Sequence, residues 1–124
     1  MQATMVDGQF QVPIEAVRKR FAAKFAGRMQ QTIATLPQVI GDGPAPTEAV
    51  ANAYRCLHEV CGIASTVGFQ STGQLAQSCD SLLIGPYRAR RGLSAPDLAQ
   101  LSERLETLRL SAQAEMQIME SSRF

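Results

Sequence analysis

The chain has 124 residues, 45% of them hydrophobic and 19% charged, which fits one globular domain over residues 1–124 with a modest core. Its formal net charge of +1 provides no global field to attract nucleic acid or an anionic membrane. No run reaches the about 18 apolar residues that span a bilayer, and residues 1–10 lack the layout of a leader.

The three cysteines, Cys56, Cys61 and Cys79, are odd in number and lack paired metal spacing. Reduced thiols in a cytoplasmic protein fit best.

Residues 1–12 lack a clear period and form a short N-terminal extension, with a turn expected at Asp7-Gly8. Pro13 suits the first position of a helix. Ile14, Val17, Phe21, Phe25, Met29, Ile33 and Leu36 then step by three or four, an amphipathic stripe that reads as core. Pro37 should end or kink this helix.

Residues 41–46 carry two glycines and two prolines and form a break. Thr47 is the expected N-cap of a second helix, with Glu48 in its first turn. This helix should run to about Val67 and carries His58, the only histidine. At about one hundred degrees per residue, Ala53, Leu57, Val60, Ala64 and Val67 gather on one side. Ala51, Arg55, Gly62 and Ser65 lie near His58 on the other. The imidazole therefore points away from the greasy face, where a core histidine would sit.

Gly68 marks a second break or a close helix contact. Ser71 and Gln74 have capping-box spacing, opening a shorter helix through Leu75, Cys79, Leu82 and Leu83 that should stop at Gly85-Pro86. Residues 87–92 read as a basic loop. Ser94 caps the last helix, with Asp97 at its third position. Leu98, Leu101, Leu105, Leu108, Ala112, Met116 and Met119 form its seam. Such a seam is more often core than a dimer surface, so a monomer is expected, although its length past Leu110 leaves a homodimer open. No internal repeat or strand-like alternation is evident. The economical fold is all-α: an antiparallel four-helix bundle.

A single exposed imidazole can act as a nucleophile and form a covalent intermediate. The chain has no phosphate-cradling Gly-rich loop, Walker-type lysine or evident carboxylate cluster for magnesium, so it should not use ATP itself. His58 and Cys61 are too few ligands for a closed zinc site, and no metal is assigned. Gly62 sits where a helical glycine costs ~1 kcal/mol relative to alanine. It gives either clearance for a partner beside His58 or close packing of another helix.

The stretch His58-Glu59-Val60-Cys61-Gly62, followed by Ala64, Ser65 and Gly68, resembles the signature of the histidine-containing phosphotransfer (HPt) domain family. That pattern is His-x-Leu-Lys-Gly, then small residues and a second glycine six positions on. His58, Gly62 and Gly68 match it, Val60 replaces leucine, and Cys61 stands in place of lysine. The resemblance implies a bundle with an exposed mid-helix histidine. It implies that His58 carries a phosphoryl group between a hybrid sensor histidine kinase and a response-regulator receiver domain. Any magnesium and the acidic pocket would belong to the receiver, with no cofactor on this chain.

Arg55, Glu59, Cys61, Gly62 and Ser65 are the candidate supporting or partner-contacting residues. Arg55 could steady a phosphoryl group or be a solvated charge. The rival readings are a degenerate helical adaptor that binds a receiver without accepting phosphate, and a thiol or metal sensor built on Cys61.

Overall fold

The computed structural model describes residues 14–121, and the side chains of residues 14–118. The N-terminal extension, its Asp7-Gly8 turn, Pro13 and the side chain of Met119 lie outside the described residues. Four helices follow one another: α1 (Ile14–Thr35), α2 (Pro44–Thr66), α3 (Gln70–Ala89) and α4 (Ala95–Ser121), with a 3-10 turn at Leu36–Val39. The fold is an all-α four-helix bundle. Among the described residues, no helix is long and apolar enough to cross a membrane.

Cross-helix bonds give the up-down-up-down course. Arg18 of α1 reaches Val67 at the end of α2, while Arg28 pairs with Glu59 and Thr32 meets Cys56. Between α2 and α3, Thr47 meets Arg90 and His58 meets Asp80. Between α3 and α4, Thr72 meets Glu115 and Ser78 meets Arg104. In each pair one number rises as the other falls, which is antiparallel packing.

The stripe on α1 supplies Phe21, Phe25 and Met29 to the core, with Leu36 following from the 3-10 turn. Val17 and Ile33 pack against them in part, and Ile14 is exposed. Pro37 ends α1 at Thr35, as its effect on the preceding residue requires. On α2, Ala53, Leu57, Val60 and Ala64 are all buried, and Val67 caps the helix from within the core. Leu101, Leu105, Leu108 and Ala112 bury the seam of α4.

Three helix ends differ from expectation. The second helix begins at Pro44, not after Thr47, and Gly43 occupies the N-cap. Pro44 lacks an amide hydrogen that the first turn would leave orphaned, and its ring presets the helical φ. Thr47 is thus already helical, its hydroxyl donates to the carbonyl of Arg90 at 3.1 Å, and Glu48 falls beyond the first turn.

The second difference is at α3, which begins at Gln70 without a side-chain cap from Ser71. The carboxylate of Glu115, from α4, takes its place. It accepts the amide hydrogens of Ser71 and Thr72 at 3.4 and 2.7 Å, and the Thr72 hydroxyl at 2.5 Å. An acidic group at a helix N-terminus satisfies orphan donors and opposes the positive end of the dipole.

The third is the other end of α3, which runs one turn beyond Gly85-Pro86 to Ala89. Pro86 forfeits one backbone hydrogen bond, but its ring is buried in the bundle. Arg90 closes the helix in the left-handed region with φ 54°. Ser94, by contrast, caps α4 as expected, accepting the amide hydrogen of Asp97 at 3.3 Å.

Two close approaches set the spacing. A Cβ on Gly73 would lie 2.6 Å from the Ser65 hydroxyl, so glycine lets α2 and α3 converge there. Gly92 passes against the carbonyls of Val39 and Gly41. The next amide, Leu93, donates to Val39 at 2.7 Å, joining the two connections at that end of the bundle.

Candidate functional site

His58 stands near the middle of α2 with its side chain 66% exposed. Leu57 and Val60 beside it are fully buried, so the helix turns its imidazole outward as the wheel requires. Two elements hold the ring. Tyr54, one turn earlier on α2, stacks on it with centroids 5.5 Å apart, and Tyr87 of α3 stacks on Tyr54 at 4.3 Å. Asp80 of α3 places Oδ2 at 3.3 Å from His58 Nδ1.

The carboxylate is only 15% exposed, and its Oδ1 is buried without a hydrogen-bond partner. An ionised carboxylate only accepts, so Nδ1 must be the protonated nitrogen in this contact. In the neutral ring, Nε2 then carries the lone pair.

The candidate residues divide between two sides of α2. Gly62 is exposed beside His58, and a Cβ there would meet nothing within 4 Å. Its place is open space, not a helix contact. Ser65 is exposed on the same face, with its hydroxyl donating to the Cys61 carbonyl at 3.2 Å. Arg55 is exposed, and its Nη1 donates to Asn52 Oδ1 at 3.2 Å. Glu59 points toward α1, where Oε1 pairs with Arg28 Nη1 at 2.8 Å.

Cys61 is half-buried and packs against the core. Burial, and then the charge of Asp80, push its thiol above the usual cysteine range. Burial pushes Cys79 up to about 11, against a smaller opposing effect of Arg104. Reactive cysteines have lowered pKa values, so these shifts speak against a thiolate sensor on Cys61.

Tyr54, Asp80 and Tyr87 were not among the residues singled out by sequence reasoning. Tyr54 was within reach, because residues four apart share a helix face. Asp80 had a subtler signal: a carboxylate one residue after the core position Cys79, as far after Phe69 as His58 lies before it. An antiparallel pair turning near Phe69 brings those two positions opposite each other.

The arrangement can therefore offer a nucleophilic nitrogen to a large partner, with a fixed ring, a buried counter-charge behind it and clear space one turn ahead. No curated protein and no solved structure matches the chain. The family model described as the Hpt domain matches residues 20–112, from the first half of α1 to the middle of α4. On that match the chain belongs to the Hpt domain family, whose members serve histidine phosphotransfer in two-component signalling.

Proposed function

We propose that His58 accepts a phosphoryl group on Nε2 and exchanges it with an aspartate of a response-regulator receiver domain. The supporting observation is the exposed imidazole whose Nδ1 is engaged by Asp80 at 3.3 Å, which leaves Nε2 as the nitrogen free to attack.

In the forward step the Nε2 lone pair attacks phosphorus of an aspartyl phosphate. The N–P bond forms, the P–O bond to the receiver carboxyl breaks, and the carboxylate leaves with the electron pair. The imidazole gains positive charge as its lone pair is used. The Asp80 carboxylate, held almost out of water against Nδ1–H, opposes that charge where solvent screens it least. Reversal returns the phosphoryl group. Transfer also needs charge neutralisation around phosphorus. Cys61 has no cation to offer at the family lysine position, so the receiver and its magnesium supply it. The chain acts as a relay carrier, with the kinase providing the ATP chemistry. Its free thiols, Cys56, Cys61 and Cys79, suit a cytoplasmic relay.

Incubation with receiver domains charged by radiolabelled acetyl phosphate tests this reading. The expected result is acid-labile, base-stable label on the wild-type chain and none on His58→Gln. The substitution should change stability by less than about 1 kcal/mol, since the ring is exposed and the glutamine amide can still donate to Asp80. Binding of a charged receiver without label would favour the adaptor reading, and label retained by His58→Gln would move the acceptor elsewhere.

A further inference from the structure

The added turn of α3 has a chemical consequence. Arg88 projects from helical backbone and Arg90 from the left-handed cap, whose carbonyl is held by the Thr47 hydroxyl. Together with Arg55 of α2 they line one groove of about 490 Å³, completed by Thr47, Ala51 and Tyr87. No acidic side chain lines it. All three arginines are exposed, and among the described residues none forms an ion pair with a carboxylate.

The groove adjoins the imidazole. Tyr87 forms part of its wall, Tyr54 stacks on Tyr87, and His58 stacks on Tyr54, at 4.3 and 5.5 Å. A stable protein partner covers about 800 Å² on each side, a patch with a radius of roughly 16 Å. A domain that brings an aspartate to Nε2 therefore also covers this groove.

We infer that the groove formed by Arg55, Arg88 and Arg90 docks an acidic surface of the receiver domain that exchanges phosphoryl groups with His58. This rests on the phosphoacceptor reading and adds what selects the partner. The match is one of charge: three guanidinium groups without carboxylate partners line the groove from two helices and call for carboxylates opposite. Arginine suits this better than lysine, because its planar fork takes a carboxylate bidentately and is weakly hydrated. Exposed charges of this kind act mainly on encounter and partner choice, and salt weakens them. Arg55 is assigned to docking, since its guanidinium lies on the groove with Arg88 and Arg90.

The test uses the full chain and the receiver domains of the genome that encodes it. Arg88→Glu/Arg90→Glu is compared with Arg88→Lys/Arg90→Lys and the wild type. With a receiver that labels the wild type, the second-order transfer rate of the Glu pair should fall about tenfold or more at low salt. The gap should close toward about 0.5 M salt. The Lys pair keeps the charge but loses the fork, so its second-order rate should lie between those of wild type and the Glu pair, and the transfer rate within the saturated complex should be unchanged in both. A Glu pair that transfers at the wild-type rate in low salt overturns the inference.

If no receiver labels the wild type, the phosphoacceptor reading fails and receiver binding decides the groove separately. Binding that weakens in the Glu pair upholds docking, and binding indifferent to charge reversal, or no binding, overturns it. If inorganic phosphate at millimolar concentration shifts the amide resonances of Ala51, Arg88 and Arg90 while no receiver does, the groove is a small-anion site and docking is overturned.

Discussion

His58 and Asp80 meet across the α2–α3 interface with Nδ1 and Oδ2 3.3 Å apart, the ring in solvent and the carboxylate almost out of it. The contact orients the nucleophile and opposes the charge it acquires. Asp80→Asn keeps the shape and removes the charge. Transfer within the saturated complex should fall on the order of 10- to 100-fold, the scale of a misoriented reacting group. Receiver affinity should hold, because the carboxylate lies beneath the docking face. Single-turnover transfer measured beside equilibrium binding separates the two. A loss confined to affinity would remove Asp80 from the chemistry.

Gly62 gives a two-variant test of clearance. A Cβ there meets no atom within 4 Å, so Gly62→Ala should stabilise α2 by up to ~1 kcal/mol. It should barely weaken docking. Gly62→Gln should also melt no lower than wild type, yet its long side chain would stand where the receiver must approach His58, and transfer should drop sharply. Thermal melts and transfer assays on both variants check this. A lower Tm for Gly62→Ala would mean that another helix uses the gap.

Cys61→Lys restores the family residue at a half-buried position. The aliphatic stem can lie along the core edge where Cys61 packs while the ammonium reaches solvent. A cation beside a phosphoryl group offsets its charge, so the transfer rate should be kept or raised, with no more than about 1 kcal/mol lost in stability. A large loss of rate with the fold intact would give the thiol a role of its own.

Glu115 is expected to act on α3 from a distance. Glu115→Ala leaves the Ser71 and Thr72 amides and the buried Thr72 hydroxyl without their acceptor. The cost should be about 1–3 kcal/mol, seen as a Tm lower by several degrees and faster hydrogen exchange at those amides. Phosphoryl acceptance by the folded fraction should persist. Glu115→Gln, which retains an acceptor oxygen, should cost less.

The four helices and their buried faces were legible because apolar spacing repeats over many turns, as Phe21, Phe25 and Met29 or Leu101, Leu105 and Leu108 show. Helix ends were less so. Residues 71–74 have the spacing of a local cap, but the donors of α3 are taken by Glu115 from 44 and 43 residues away, a competition that local spacing cannot reveal. Pro86 looked like a stop because the burial that offsets its lost hydrogen bond is tertiary. At the site, the exposure of His58 followed from its own helix. Asp80 required the register of a second helix, and the groove required α3 to continue past the point where local rules would end it.

The backbone around Arg90 is fastened on two sides. The Thr47 hydroxyl holds its carbonyl, and three residues later Leu93 is bonded to Val39. A loop that carried the same arginines on loose backbone would have to be ordered at each encounter, at about 1–2 kcal/mol per residue. Here association freezes only side chains, about 0.5–1.5 kcal/mol each. A relay carrier must release its partner as readily as it meets it. A preordered scaffold lets a few weak, salt-sensitive contacts select that partner without requiring the tight complex that would stall turnover.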